Sequence, residues 1–280
     1  MKRPSFLRRA RTPLSLMATV GVAGALLAVS VAPATAGKGP SSSGPKPTVV
    51  LVHGAFADST SWNAVVKRLR REGYPVVAAA NPLRGLSSDA AYLKDLLAGI
   101  DGPVVLAGHS YGGSVISNAA TGTENVKALV YIAAFLPDKG ESAIELSGKF
   151  PGSTLGEALH PVPITLPDGS QDADLYIEQA KFHHQFAADV PNDTTDLMAV
   201  TQRPVTNSAL QEGASEPAWK TIPSWSLVAT QDLNIPPAVQ RFMAERAHAH
   251  TVEVRASHAV SVSRPNDVAR IIEEAAQTVH

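Results

Sequence analysis

A serine hydroxyl is a poor nucleophile until a base takes its proton and a third group holds that base in place. The stretch VVLAGHSYGGSV, residues 104–115, sets Ser110 between glycines, after an apolar run (103–107) and before a helical pattern (113–121). Gly108 and Gly112 permit a turn where a Cβ would clash, and the helix N-terminus behind Ser110 favours developing negative charge. Gly-x-Ser-x-Gly alone is weak, because a chain of this length can hold it by chance. Its place between a strand and a helix is what makes Ser110 the expected nucleophile.

The partners must come from the ends of other strands. The chain has nine histidines. His258, in RASHAVSVSRP, follows the run at 250–255, at the carboxyl edge where active sites of open α/β sheets gather. It is the expected base. His248 and His250 flank the start of that run, and His280 is the final residue. His109 reads as a packing residue of the corner and His53 as a structural hydrogen-bonding residue. The acid is expected at Asp232, after SWSLVAT, with Asp138 in LPDKG as the rival one strand earlier.

An oxyanion needs two preorganised N–H donors. Tyr111, the residue after the nucleophile, supplies one. Ala55 in LVHGAF supplies the other, where Gly54 allows the sharp turn. Phe56 is the second choice as donor and a pocket wall. Phe135 and Phe182, with Phe150 and Trp219, either line the pocket or form a core of their own. His183-His184 and Asp172/Asp174 match no H-E-x-x-H or EF-hand spacing, so no metal site is expected. Asn192-Asp-Thr194 is a lone glycosylation sequon.

The elements that would position these side chains alternate. Apolar runs at 48–52, 75–79, 103–107, 126–133, 224–230 and 250–255 read as strands covered on both faces. Between them, Trp62/Val65/Val66/Leu69, Leu93/Leu96/Leu97/Ile100 and Val268/Ile271/Ile272/Ala275 have helical spacing, and Pro265 opens the last helix. Repeated strand–helix units predict a mostly parallel sheet of about six strands flanked by helices. The rhythm breaks at about 135–222, which is too long for a plain loop and reads as an inserted, mostly helical cap with fragments at 174–188 and 193–203. There are no internal repeats.

The first 36 residues have a different character. Lys2, Arg3, Arg8, Arg9 and Arg11 precede an apolar stretch (14–32) and the triplet Ala34-Thr35-Ala36. This is the pattern of a secretory signal peptide cleaved after Ala36, favoured over a membrane anchor by its Ala/Gly/Ser content and cleavage triplet. Arg8-Arg9 leaves the Sec or Tat route open. Residues 37–47, GKGPSSSGPKP, read as a flexible linker to a domain at 48–280. The whole chain carries 24 Lys plus Arg against 25 Asp plus Glu, so without the leader's five basic residues 19 face 25, a net of −6. That balance argues against nucleic acid as a partner. With no cysteine, disulfides, thiol nucleophiles and cysteine metal sites are excluded.

With HGAF, GHSYGG, Asp232 and His258 in that order, the chain resembles the α/β-hydrolase superfamily over nearly all of 48–280. NPLRGLSSDAAYL and VATQDLNIPPAVQRFMAERA resemble bacterial esterase-like members of the branch that holds plant methyl esterases and hydroxynitrile lyases. The resemblance implies a triad of Ser110, Asp232 and His258, an oxyanion hole at Ala55 and Tyr111, and no cofactor. Hydroxynitrile lyases carry lysine directly after the triad histidine; here the position is Ala259, which argues against lyase chemistry. Dehalogenases and epoxide hydrolases need aspartate where Ser110 stands. The expectation is an exported serine hydrolase acting on small-molecule carboxylic esters or lactones, with no stable membrane anchor after leader removal. The alternatives are C–C hydrolysis or perhydrolysis on the same triad, or a non-catalytic ligand-binding scaffold. Oligomeric state stays open.

Overall fold

A computed structural model describes residues 45–279. The leader, and the linker up to residue 44, lie outside the described residues. From the first strand the chain runs β1 (Thr48–Val52), α1 (Asn63–Arg71), β2 (Val76–Ala79), α2 (Leu86–Ala98), β3 (Val104–His109), α3 (Tyr111–Ala119) and β4 (Val126–Ile132). An insertion follows: α4 (Ala143–Ser147), α5 (Leu155–Ala158), β5 (Leu159–Thr165), β6 (Gln171–Ile177), α6 (Gln179–Phe186), α7 (Asn192–Thr201), β7 (Val205–Thr206) and α8 (Asn207–Gln211). The chain then closes with β8 (Ser224–Ala229), α9 (Pro237–Arg246), β9 (His250–Val254), α10 (Val260–Ser263) and α11 (Pro265–Gln277).

The main sheet has the order β2-β1-β3-β4-β8-β9, and every neighbouring pair is parallel. This is the expected architecture, with each predicted strand present to within two residues at either end. Its inner strands read as unbroken apolar runs because both faces are covered. Val50, Val52, Val104, Leu106 and Leu129 pack to one side with α2 and α3. Val49, Leu51, Val105, Ala107 and Val130 pack to the other with α1 and α11. Each Val and Leu among them contributes about 1.5–3 kcal/mol by leaving water. The chain steps from β1 outward to β2, then returns to β3 on β1's other side. Strand order reverses there, so the crevice beyond the carboxyl ends of β1 and β3 is the natural place for a site.

The insertion is not all helical. β5, β6 and β7 form a separate antiparallel sheet in that order. The helix expected over 174–188 begins only at Gln179, because Leu175 and Ile177 alternate inward as part of β6. The turn between β5 and β6 is built on Leu166-Pro-Asp-Gly-Ser170: Gly169 has φ +85, and Leu166 N–H donates to Ser170 O at 2.9 Å.

Candidate active site

Ser110 sits between the last residue of β3 and the first of α3, with φ 54 and ψ −125. A non-glycine residue there stores about 1–3 kcal/mol of strain, held by its surroundings. Ser110 N–H donates to Ile132 O, and Ser110 O accepts from Gly113 N at 2.9 Å and Phe135 N at 3.2 Å. Strand and helix approach so closely that a Cβ on Gly108 would stand 2.5 Å from Gly112 O. Across the crevice, a Cβ on Gly54 would stand 2.6 Å from Ser110 Cβ, so the loop after β1 can lie against the serine only as glycine.

Two strands away, Asp232 lies just past β8. Its Oδ1 accepts from Asn234 N at 2.7 Å and Ile235 N at 3.0 Å. Its Oδ2 accepts from Gln240 Nε2 at 2.9 Å and His258 Nδ1 at 2.7 Å. Both side chains of the His258–Asp232 pair are fully buried. Because Nδ1 carries the proton toward the carboxylate, Nε2 is left as the basic nitrogen. That nitrogen is buried and has no hydrogen bond among the described residues. Nucleophile–base hydrogen bonds commonly tighten only in the substrate complex.

The loop that carries His258 is pinned from three sides. His109 Nε2 donates to His258 O at 2.8 Å, with the two rings 4.7 Å apart. Ala259 N donates to Phe186 O at 2.9 Å, and the Phe186 ring stands edge-on to His258 at 5.0 Å. Ser257 Oγ donates to Asp189. Burial pushes the His109 imidazole down to about 3, so it is neutral and a fixed donor. Sequence reading took His109 only as packing; the structure makes it the tie between the serine corner and the histidine loop. His53 is a hydrogen-bonding residue as expected: Nδ1 donates to Gly54 O at 2.9 Å and Nε2 accepts from Asn81 N at 3.0 Å. Burial lowers its basicity too.

The N–H groups of Ala55 and Tyr111 make no hydrogen bond among the described residues. Phe56 N–H is already donated to Arg203 O at 2.9 Å, which removes the second choice. The Tyr111 phenol donates to buried Asp89 at 2.9 Å. Burial raises the Asp89 carboxyl, and burial together with the Asp89 charge raises the phenol.

Ser110, Ala55, Phe56, Tyr111 and Phe135 line a cavity of about 310 Å³, closed on the far side by Leu155, Leu175 and Leu210 of the insertion. Ile144 lines it while remaining 48% exposed, so it stands at the mouth. Phe182 is a correction. It does not line the cavity but stacks on Phe186 at 5.0 Å, because i, i+4 spacing on α6 puts both rings on one buried face. Phe150 packs on Phe242, and Trp219 donates to Pro137 O at 2.8 Å, so neither lines the cavity. The rival acid Asp138 pairs with Lys220 at 2.7 Å on the surface, away from any histidine. Asp172 accepts from Ser208, and Asp174 pairs with Arg84. Among the described residues no group of three His, Cys, Asp or Glu could hold a metal, and no helix is long and apolar enough to cross a membrane.

Sequence reasoning missed Gln240, Asn234 and Gln185. The one signal available was Gln240, a polar residue in helical register with Met243 and Ala244, both buried.

The chain belongs to the alpha/beta hydrolase family, whose model matches residues 49–271. It is 30% identical to a pyrethroid hydrolase of Sphingobium wenxiniae, covering 80% of this chain and 85% of that one. It is 28% identical to an alpha/beta hydrolase of Aspergillus novofumigatus, covering 82% and 97%. The solved structure of polyneuridine aldehyde esterase shares the fold with a TM-score of 0.72 at 19% identity, over 82% of this chain and 98% of that one.

Proposed function

We propose that the protein is an exported serine hydrolase that cleaves small-molecule carboxylic esters or lactones through Ser110, His258 and Asp232. Ester hydrolysis is the class in which some of its relatives are named, among them a methylesterase of Arabidopsis thaliana and a carbendazim-hydrolysing esterase of Nocardioides. The observation that carries the reading is a strained serine lining an apolar cavity, at the same carboxyl edge of the parallel sheet as a buried histidine whose Nδ1 proton is committed to an aspartate.

In this reading Ser110 Oγ attacks the carbonyl carbon while His258 Nε2 takes its proton. The oxygen that becomes negative is met by the N–H groups of Ala55 and Tyr111. Asp232 holds the imidazole in the productive tautomer and stabilises its charged form. The C–O bond breaks and the leaving alkoxide receives the proton from Nε2. Water, deprotonated by the same nitrogen, then releases the acid and restores Ser110. No residue lining the cavity is cationic, which suits an uncharged substrate.

The test is turnover of a short-chain aryl ester together with labelling by a fluorophosphonate. Ser110→Ala is expected to lose at least about 10³-fold in kcat and all labelling. Equal turnover in wild type and variant removes the claim. Export is supported by the basic and apolar leader, and N-terminal sequencing of protein recovered from culture medium should begin at Gly37.

A further inference from the structure

Asn234 is 2% exposed and lines the cavity that holds Ser110. Its amide can be oriented without ambiguity. Thr154 Oγ1 meets Gln185 Oε1 at 2.8 Å, and the other terminal atom of Gln185, Nε2, meets Leu233 O at 3.0 Å. A carbonyl can only accept, so Nε2 is the nitrogen. The same Nε2 donates to Asn234 Oδ1 at 2.8 Å. A flipped Asn234 would set two N–H groups against each other.

Asn234 Nδ2 is therefore a fixed donor, and it is buried with no hydrogen-bond partner among the described residues. It cannot turn away cheaply. The backbone of Asn234 is held on both sides, its N–H by Asp232 Oδ1 and its carbonyl by Ser153 Oγ at 2.9 Å. Buried donors in native proteins nearly always have an acceptor, from protein, ordered water or ligand, and a residue in the wall of the serine's cavity can take one from a substrate oxygen. The neighbouring wall, Ile235 and Leu155, is apolar.

We propose that Asn234 determines specificity by donating from Nδ2 to a second, uncharged oxygen of the substrate, a carbonyl or an ether, distinct from the scissile ester. This rests on the hydrolase reading and deepens it. A carboxylate acceptor does not fit: no Lys, Arg or His lines the cavity, and Asp232 stands two residues away. The favoured substrate is then an oxo-ester, an alkoxy-ester or a diester, not a plain alkyl ester.

The experiment measures kcat/KM by pH-stat on the purified protein. On the acyl side, ethyl 3-, 4- and 5-oxohexanoate and ethyl 3-ethoxypropanoate are each compared with ethyl hexanoate. On the alcohol side, 2-methoxyethyl hexanoate is compared with butyl hexanoate. Wild type should favour at least one oxygenated ester by about tenfold over its alkyl counterpart, the scale of one net hydrogen bond. Asn234→Leu removes the donor. Asn234→Asp keeps the shape and the contact with Gln185 but replaces the donor with an acceptor, and serves if the leucine variant does not fold. In either variant the ratio should fall to about one or below. A wild-type ratio near one across the panel, or a ratio that survives both substitutions, overturns the role of Asn234 and leaves the hydrolase intact. If wild type cleaves none of these esters, or Ser110→Ala cleaves them equally, the hydrolase reading itself falls and the assignment with it.

Discussion

At the scale of single residues, the carboxylate of Asp232 is the most heavily supported group in the site. Four donors surround it, two per oxygen, and only one of them is the histidine. Gln240 joins this shell to the sheet: its Nε2 bonds Asp232 Oδ2 and Ile235 O, and its Oε1 accepts from Ala229 N at 3.0 Å. Gln240→Met keeps the volume and removes all three bonds. We expect kcat to drop about tenfold with KM within about twofold, because the loss acts through the aim of His258 and not through substrate contact. Stability should fall by about 1–3 kcal/mol, since Ala229 N–H and Ile235 O are left buried and unpaired. A change in KM alone would show that Gln240 shapes the pocket instead. The placement of Ser110, Asp232 and His258 was legible in the sequence because each follows an apolar run, where a parallel sheet delivers side chains to one rim. Gln240 and Asn234 were not, because a glutamine inside a helix and an asparagine in the loop before a helix both read as surface until tertiary approach supplies their partners. Phe182 was misplaced for a similar reason: an aromatic in a cap reads the same whether it faces substrate or Phe186.

At the scale of elements, the main sheet was legible and the small one was not. Runs of Val, Leu and Ala covered on both faces have one reading, and all six were found. β5 carries two prolines, β6 opens on polar residues and both sit beside helices, yet Pro167-Asp-Gly169 between them is a strong turn signal that outweighs the helical spacing read at 174–177. β5 is also an edge strand, and its prolines are placed to protect it. Ala173 N–H turns to its neighbour Asp172 and Ile177 N–H to Gln202, both away from β5. Their cross-strand partners, Pro163 and Leu159, therefore present their outward side to solvent. Proline there leaves no free N–H to template a further strand. Pro163→Val restores an outward amide on an exposed, β-prone edge. We expect the variant to keep wild-type kcat/KM in dilute solution and to form dimers or larger species as concentration rises, read by light scattering after size exclusion. A monodisperse profile matching wild type at every concentration would remove the protective role.

At the scale of the whole molecule, two buried histidines tie stability to pH. His109, pushed down from 6.5 to about 3 by burial, and His53, lowered for the same cause, stay neutral in the fold. Once unfolded, both bind protons below about pH 6.5. The unfolded chain then holds more protons than the folded one, so the stability these residues contribute is complete above about 6.5 and is lost as pH falls toward about 3. The paired carboxylates of Asp138, Glu141 and Asp172, held low in the fold by hydrogen bonds and neighbouring cations, lose their contribution only further down, through the ordinary carboxylate range. Asp89 runs the other way: burial raises it, so it relieves the fold as it protonates. Between pH 7 and 5 the histidines thus pull stability down, and Asp89 can only offset them. We expect the urea midpoint to decline across it in wild type. His109→Gln can still donate to His258 O but cannot charge on unfolding. Its midpoint should start lower at pH 7, because the close packing against Trp62 and Phe186 is disturbed, and then fall less between 7 and 5. Parallel declines in the two proteins would show that the buried imidazole beside the serine is not what makes this fold sensitive to acid.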